Sequence, residues 1–484
     1  MRKDFQEKTP SVFVSFIPLA VLVGLLAITI HLFGSDAIMG GSQLSLLSAS
    51  AVAAALATII YKVSWKKLEE SIMTNMKSAT SALIILLLIG SIAGSWMASG
   101  IIPTLIYYGL NILHPSYFLV ASCVICAGVS LLTGSSWTTI ATIGIALMGI
   151  GRALGFDDGW IAGAIISGAY FGDKVSLMSD TTVLASSTSE VPLFTHIKYM
   201  MFTTIPSLVI ALLVFAIAGL SGASDATTDT AYIQEALAST YNISPWLLLV
   251  PLITGILIWK KLPAIVTLFT SVVLASVALV IAQPDVIMYI TKAISVDAMS
   301  SIKAIVLSAT SDVAVDTGNE RINELVATSG MGGMMDTIWL IICAMCFGGV
   351  MYGSGMLSAI TKVFIRIARR TVSVVASTVS SGVFFNLCTG DQYISIILTS
   401  KLFNKLYDER GLERRLLSRS VEDSATVTSV LIPWNSCGMT QSTVLGVATI
   451  TYLPYCIFNI VSPIMSIIVA AIGYKIFKRK ENEA

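Results

Sequence analysis

SATSALIILLLIGSIAGSWMASGIIPTLIYYGLNILHPSYFLVASCVICAGVSLLTGSSWTTIATIGIALMGIG, residues 78–151, contains no Asp, Glu, Lys or Arg across 74 positions. An apolar helix of about 20 residues crosses a bilayer, so this stretch alone crosses several times. Uncharged runs recur at Thr9–Ser35, Ala37–Tyr61, Tyr199–Ser224, Ala236–Trp259, Leu262–Pro284, Thr337–Thr361 and Ser424–Tyr474. The 484-residue chain is 55% hydrophobic and 12% charged, with a mean hydropathy of +0.84. The fold class that follows is an all-α polytopic membrane protein of roughly ten to thirteen helical segments, some of them broken.

A net charge of +1 argues against a basic nucleic-acid face. The N-terminus carries basic residues before an apolar run too long for a signal peptide and without a small-residue cleavage site, so it reads as a retained first helix. The pairs Cys123/Cys126 and Cys343/Cys346 sit inside uncharged helical runs of a chain with three histidines, and read as packing residues rather than redox or metal pairs.

The chain repeats itself. Ser99-Gly100 matches Ser354-Gly355 at a shift of 255, and Thr133-Gly134 matches Thr389-Gly390 at a shift of 256. Each TG is followed by a polar cluster and then by an acidic, hydroxyl-rich element, GDKVSLMSDTT (172–182) in one half and EDSATVTS (422–429) in the other. Lys62, Lys66, Lys67 and Lys77 precede the first SG helix, whereas Lys362, Arg366, Arg369 and Arg370 follow the second. After the TG elements, GRALGFDDGW has one basic residue, and its counterpart Lys401–Arg419 has six. Opposite charge bias at equivalent positions reads as two inverted-topology repeats, each with a re-entrant hairpin and a broken helix. The expected organisation is N-terminal helices and a cytoplasmic loop (1–77), a first repeat (78–220), connecting helices and extracytoplasmic loops (221–336) and a second repeat (337–484). Loop 221–244, with Asp225, Asp229 and Glu235, lies outside, loop 401–419 inside, and both termini are cytoplasmic, in the cell (inner) membrane.

Irregular backbone at membrane depth persists only where protein or a polar cavity surrounds it, and the two TG clusters suit hairpin tips that offer hydroxyls, carbonyls and helix ends to an ion. The alternative is that Ser135, Ser136, Thr138 and Thr139 bond back to their own helix. Carboxylates are costlier to explain away, at about 2.5–3.5 kcal/mol each at bilayer depth on insertion scales. The candidates are Asp173, Asp180, Asp391, Glu422 and Asp423. Sodium is expected at Asp180, with Ser136 and Thr139 as neutral oxygen donors among Ser179, Thr181 and Thr182. A proton competes for the same carboxylate. Lys174 either neutralises Asp173 or Asp180 or snorkels to the interface. Glu422 and Asp423 either face the site by repeat symmetry or start a helix from the aqueous side.

TGSSWTTIATIGIALMGIG, IAGAIISGAYFGDKVSLMSDTT and LSRSVEDSATVTSVLIPWNSCG resemble the NhaC-type sodium/proton antiporter family, through most of both halves. The resemblance implies a secondary transporter of the ion-transporter superfamily with inverted repeats, paired hairpins and a homodimeric scaffold. Its polar motifs fall on Ser135, Ser136, Thr138 and Thr139, then on Gly172, Asp173, Lys174, Ser176, Ser179, Asp180, Thr181 and Thr182. In the second half they fall on Glu422, Asp423, Thr426, Thr428, Trp434 and Asn435. Leu177, Val183, Ala425 and Val430 depart from the family pattern, and the loss of a side-chain ligand at Val183 leaves room for an organic substrate.

The leading function is therefore sodium/proton antiport. The alternative is a sodium- or proton-coupled carrier of a small carboxylate or amino acid on the same cation site. No cofactor is called for, and the partners are the lipid bilayer, sodium ions, protons and, in the alternative, a small organic solute. An intramembrane aspartyl protease lacks its Gly-x-Gly-Asp pattern here, because Tyr170 precedes Phe171-Gly172-Asp173. Nothing resembles a channel's filter ring. The inverted repeat is testable by labelling intact cells with an impermeant thiol reagent. Thr228→Cys should be modified and Glu409→Cys spared, and the reverse pattern would remove the inversion.

Overall fold

The computed structural model describes residues 10–33, 40–222, 230–260 and 262–477. The helices run in the order α1 (Val12–Phe33), α2 (Gly41–Ile59), α3 (Trp65–Ala98), α4 (Ile101–Ile112), α5 (Pro115–Thr133), α6 (Ser136–Thr139), α7 (Ile145–Ala153), α8 (Asp158–Val175), α9 (Asp180–Thr188) and α10 (Leu193–Gly222). A connecting set follows: α11 (Thr230–Thr240), α12 (Leu249–Trp259), α13 (Ala264–Ala282), α14 (Pro284–Thr291), α15 (Ala298–Thr310) and α16 (Glu320–Leu325). The last set is α17 (Met335–Gly353), α18 (Met356–Ile367), α19 (Thr371–Thr389), α20 (Gln392–Glu409), α21 (Arg414–Val421), α22 (Ser436–Leu445), α23 (Thr449–Tyr452) and α24 (Ile457–Ile472). Among the described residues the only β pairing is one bridge between Val313 and Thr328. Eight of the described helices are long and apolar enough to cross a bilayer, or ten if two sharply bent pairs each count as one span.

Glycine decides where the chain turns. Gly100 and Gly355 share φ near 77°, and Gly134 and Gly390 have φ of 68° and 66°, the left-handed region that side chains with a Cβ resist. The order of elements around them is the same twice: α3–α4–α5–α6 and α17–α18–α19–α20. The hydrogen bonds repeat as well. The Thr133 hydroxyl accepts from the Ser135 N–H at 3.2 Å and meets the Thr139 hydroxyl at 3.2 Å; the Thr389 hydroxyl accepts from the Asp391 N–H at 3.3 Å and meets the Ser395 hydroxyl at 3.1 Å. Ser135 caps the Thr138 N–H, and Asp391 caps the Ile394 N–H. Every one of these pairs is related by the 256-residue shift. Each first arm, α5 or α19, has 19 residues, about 28 Å at 1.5 Å per residue, close to the thickness of a hydrocarbon layer.

Two helices break. The chain leaves α8 at Val175 and restarts at Asp180, while α21 runs through a π-turn (Glu422–Thr426) and a short 3₁₀ turn before α22. Both breaks are braced by side chains that take up freed carbonyls: Thr182 donates to Lys174 O at 3.0 Å, Asn386 to Ala425 O at 2.7 Å and Asn459 to Val427 O at 2.8 Å, while Ser130 adds a bond from α5 to Ala169 O within α8 at 2.6 Å.

Two sequence expectations change. Residues 401–419 are not a loop. Lys401 and Lys405 lie on α20, and Arg414, Arg415 and Arg419 lie on α21, with only 410–413 between them. Arg414 pairs with Asp408 and Glu190, and Arg419 is fully buried, so fewer of the six basic residues mark an aqueous surface than the charge count suggested. Residues 230–240 of the expected outer loop are helical, with Glu235 exposed on α11, while Asp225, Asp229 and Thr228 lie outside the described residues. Cys123 and Cys126 are buried and unpaired within α5, as packing residues are.

α5 and α8 touch backbone to backbone. A Cβ on Gly168 would stand 2.0 Å from the Cys123 carbonyl oxygen, and one on Gly172 would stand 2.3 Å from that of Ala127. Gly128, on the exposed side of α5, has nothing within 4 Å. Gly168→Ala should therefore lower the melting temperature of the purified protein, through about 1–3 kcal/mol of overpacking. Gly128→Ala, in the same helix pair, should leave it unchanged or raise it through helix propensity worth up to about 1 kcal/mol.

Candidate functional site

The two TG tips meet at one cavity. A vestibule of about 860 Å³ is lined by Gly134, Ser135, Trp137 and Thr138 from the first tip, by Gln392 and Tyr393 from the second, and by Asp173, Asp180 and Thr181 from the α8–α9 break. Ser78, Ser81 and Ile85 of α3, Leu177 and Met178 of the break, and Leu262–Ala264 at the start of α13 add a largely apolar part to its wall.

Asp173 is the buried carboxylate of this wall. Its Oδ2 accepts the Ser136 hydroxyl at 2.7 Å and the Ser136 backbone N–H at 3.1 Å, both from the first turn of the helix that follows the tip. The N-terminal end of that helix faces the carboxylate with its free N–H groups, which favours negative charge there. Seven residues on, Asp180 is exposed to the vestibule as the first residue of α9. The break between them places the two carboxylates on different helices, so they do not share one continuous helix face.

The donors expected for Asp180 go elsewhere. Ser136 sits on Asp173, and the Thr139 hydroxyl bonds to the Ser135 carbonyl at 2.9 Å and to Thr133. Ser136, one of the two neutral donors expected at Asp180, is turned to Asp173 instead. Of the other hydroxyls, Thr138 meets Ser135 at 3.2 Å, Ser176 donates to Leu131 O at 2.9 Å, Ser179 meets Thr181 at 2.9 Å, and Thr182 bonds to the end of α8. Bonds to the backbone or to a neighbouring hydroxyl thus account for most of them, and Ser136 is the tip hydroxyl that meets a carboxylate.

Lys174 departs from both expectations. It neither pairs with Asp173 or Asp180 nor reaches an interface: its fully buried ammonium donates to Asp423 Oδ1, 249 residues away, and to the Ser462 hydroxyl at 3.0 Å. Helical geometry dictates this, because consecutive residues on α8 point about 100° apart and Asp173 already faces the tip. Asp423 Oδ1 also accepts from Thr203 at 3.1 Å and Ser462 at 3.0 Å, and Asp423 Oδ2 stands 3.9 Å from Arg419 Nε. Glu422 and Asp423 are fully buried within the π-turn, so neither starts a helix from water. Nor do they stand where the repeat would put partners of Asp173 and Asp180. The 256-residue shift that the tip hydrogen bonds obey maps Asp173 to Ser429 and Asp180 to Ser436. Ser429 lies 3.4 Å from Gln392, the counterpart of Ser136, so the second half holds an uncharged copy of the Asp173–Ser136 pair.

Asp391 is buried as the cap of α20, accepting from Ile394 N–H at 2.9 Å and from Ser436 at 3.4 Å. Thr428 accepts from Asn386 at 3.1 Å, Asn435 caps α22, and Trp434 donates to Leu387 O at 2.8 Å, all bracing the second break. Thr426 is buried with its hydroxyl unpartnered. The sequence reading missed Thr203, Ser462, Gln392 and Arg419. Arg419 was legible at helical spacing four residues before Asp423, but it was counted as a loop charge. Lone hydroxyls inside the apolar helices α10 and α24 carried no signal.

Residues 168–474 match the model of the Na+/H+ antiporter family. The chain is 36% identical, over 87% of its length and 90% of the relative's, to the Na(+)/H(+) antiporter NhaC of Bacillus subtilis. It is 35% identical, over 87% of each chain, to the malate-2H(+)/Na(+)-lactate antiporter of the same organism. To the arginine/ornithine antiporter ArcD of Halobacterium salinarum it is 34% identical over its full length and 96% of the relative's. The similarity runs through both tips and both breaks, and with it the resemblance first carried by the motifs around Asp173 and Glu422 becomes an assignment: the chain belongs to the NhaC-type Na+/H+ antiporter family.

Proposed function

We propose that the chain is a secondary transporter that exchanges sodium ions for protons across the cell membrane, the two taking turns on the Asp173 carboxylate. The observation that supports this reading is a buried carboxylate, paired with no basic side chain, whose Oδ2 accepts two hydrogen bonds from the residue that opens a helix, at the wall of a vestibule of mixed polar and apolar lining. A cation arriving there finds the carboxylate, the Ser136 hydroxyl and tip carbonyls as oxygen ligands. A proton arriving instead neutralises the carboxylate in place. Occupation by one excludes the other, and that exclusion is the chemical basis of exchange. Asp180, exposed in the vestibule, raises the local concentration of cations by its field.

The vestibule wall passes Ser78, next to Lys77, and Ile258 and Leu262, on either side of Lys260. Those basic positions support a cytoplasmic opening, with both termini on the same side. The family resemblance adds a homodimer in the inner membrane.

A second reading has an observation of its own. The vestibule, at about 860 Å³, lies within the 300–1,000 Å³ typical of sites for small organic ligands and far exceeds what an ion needs. Two relatives are named for organic solutes, so a small carboxylate or amino acid coupled to the same cation is the alternative. Proteoliposomes with an imposed sodium gradient and an internal pH reporter separate the two. Proton movement without added solute favours the exchanger, and movement that requires malate, lactate or an amino acid favours the carrier.

Asp173→Asn keeps the shape and removes the exchangeable proton, so it should abolish sodium-driven proton movement in a folded protein, while Asp180→Asn should retain exchange with weaker apparent sodium affinity. A folded Asp173→Asn variant exchanging at the wild-type rate would overturn the assignment. The hydroxyls divide in the same assay. Ser136→Ala removes a hydrogen bond to a charged group, worth about 1.5–3 kcal/mol, and should weaken apparent sodium affinity by about tenfold or more. Thr139→Ala, whose hydroxyl serves the tip backbone, should change it by less than about twofold.

A further inference from the structure

The Lys174 ammonium sits in a cage that has the composition of a cation site. Asp423 Oδ1 and the Ser462 hydroxyl contact it, and Thr203 and Ser462 both donate to the same carboxylate oxygen. The Phe458 ring lies on another side, its centroid 5.7 Å from Nζ, where a ring face attracts positive charge. Lys174, Asp423, Thr203 and Ser462 are all completely buried. Around the cage the free groups include several oxygens. Both Glu422 oxygens, Asp423 Oδ2 and the Thr426 hydroxyl are buried without a hydrogen-bond partner. Arg419, the other buried cation nearby, leaves its three guanidinium nitrogens without a hydrogen-bond partner and rests over the Tyr199 ring at 4.8 Å.

We propose that Asp423, Thr203 and Ser462 form a second pocket for a small monovalent cation, separate from the Asp173 site, and that the side-chain ammonium of Lys174 is its tethered occupant. The elements agree with a pocket rather than a mere ion pair. Asp423 comes from the π-turn after α21, Thr203 from α10, Ser462 from α24 and Lys174 from the end of α8 beside the break, so three elements build the cage and a fourth supplies the charge. The three cage residues hold their mutual hydrogen bonds without the lysine: Thr203 and Ser462 bind Asp423 directly. An ammonium head needs oxygen acceptors and a carboxylate, which this cage supplies, and a primary alkylammonium of one carbon has the size of the lysine head.

The proposal predicts refilling. Truncation of Lys174 leaves an unpaired buried carboxylate, a loss that ordinarily destabilises strongly, and an external cation of the right size should reverse it. Full-length Lys174→Ala, purified in detergent, is melted in methylammonium, sodium or choline chloride at equal ionic strength. Expected is a saturable rise of its melting temperature with methylammonium, a smaller rise with sodium and none with bulky choline. The wild type and Lys174→Ala/Asp423→Asn should show no such rise, and adding Thr203→Val and Ser462→Ala to Lys174→Ala should weaken apparent methylammonium affinity at least tenfold. Equal responses of Lys174→Ala and Lys174→Ala/Asp423→Asn would overturn the proposal. A Lys174→Ala chain recovered in none of the three salts counts against it as well, since an open cage would be refilled during purification. The readout is stability, so loss of sodium/proton exchange in these variants leaves the outcome unaffected.

Discussion

A peptide group freed from its helix inside a bilayer must find another partner, because no water is there to take it. The breaks and tips of this protein obey that constraint through short polar side chains. Thr133 and Thr389 take the N–H two residues ahead at each tip. Thr182, Asn386 and Asn459 reach across to the carbonyls of Lys174, Ala425 and Val427. Once these groups are satisfied, the chain can stop a helix at membrane depth, and a stopped helix presents its N-terminal N–H groups to a carboxylate. The contact between Ser136 and Asp173 is a by-product of solving the backbone problem.

The repeat duplicates that solution and leaves the charges unmatched. Tip turns, caps and cross-braces recur at a fixed shift, yet Asp173 has Ser429 as its counterpart, and Lys174 has Val430. The buried charges are spread unequally over the two frames: Asp173 lies at the vestibule, Asp391 caps the second tip, and Lys174 of the first half meets Asp423 of the second, with Glu422 and Arg419 nearby. Packing conserves the frame because backbone satisfaction has few solutions, whereas charge is free to differ wherever a neutral group of similar size fills the space.

The membrane class, the two TG tips and the residues of the first break were legible because they are local. An uncharged run of 74 residues has one reading, and the two TG elements stood out because they recur at a fixed shift, each followed by a polar cluster. Partners were not legible. Lys174 lies beside Asp173 in the chain and six residues from Asp180, and proximity in sequence suggested an ion pair that the helix rotation of α8 forbids. Glu422 and Asp423 followed a basic stretch that looked like an aqueous loop, but Arg415 and Arg419 lie on a helix there, over the rings of Phe477 and Tyr199. Ser462 and Thr203 sit in apolar helices with nothing to distinguish them from hydroxyls that bond to their own backbone.

The glycine contact between α5 and α8 has a thermodynamic corollary. Helices in backbone contact at Gly168 and Gly172 have no room to slide, so the arm that carries the first tip and the arm that carries Asp173 form one rigid body. On the proposed exchange at Asp173, the spacing between Ser136 and the carboxylate stays the same whichever side of the membrane the vestibule faces, and the ion is held with the same intrinsic affinity from either side. A device of that kind has no preferred direction of its own, and the concentration gradients of the two ions, together with the membrane voltage, decide which way it runs.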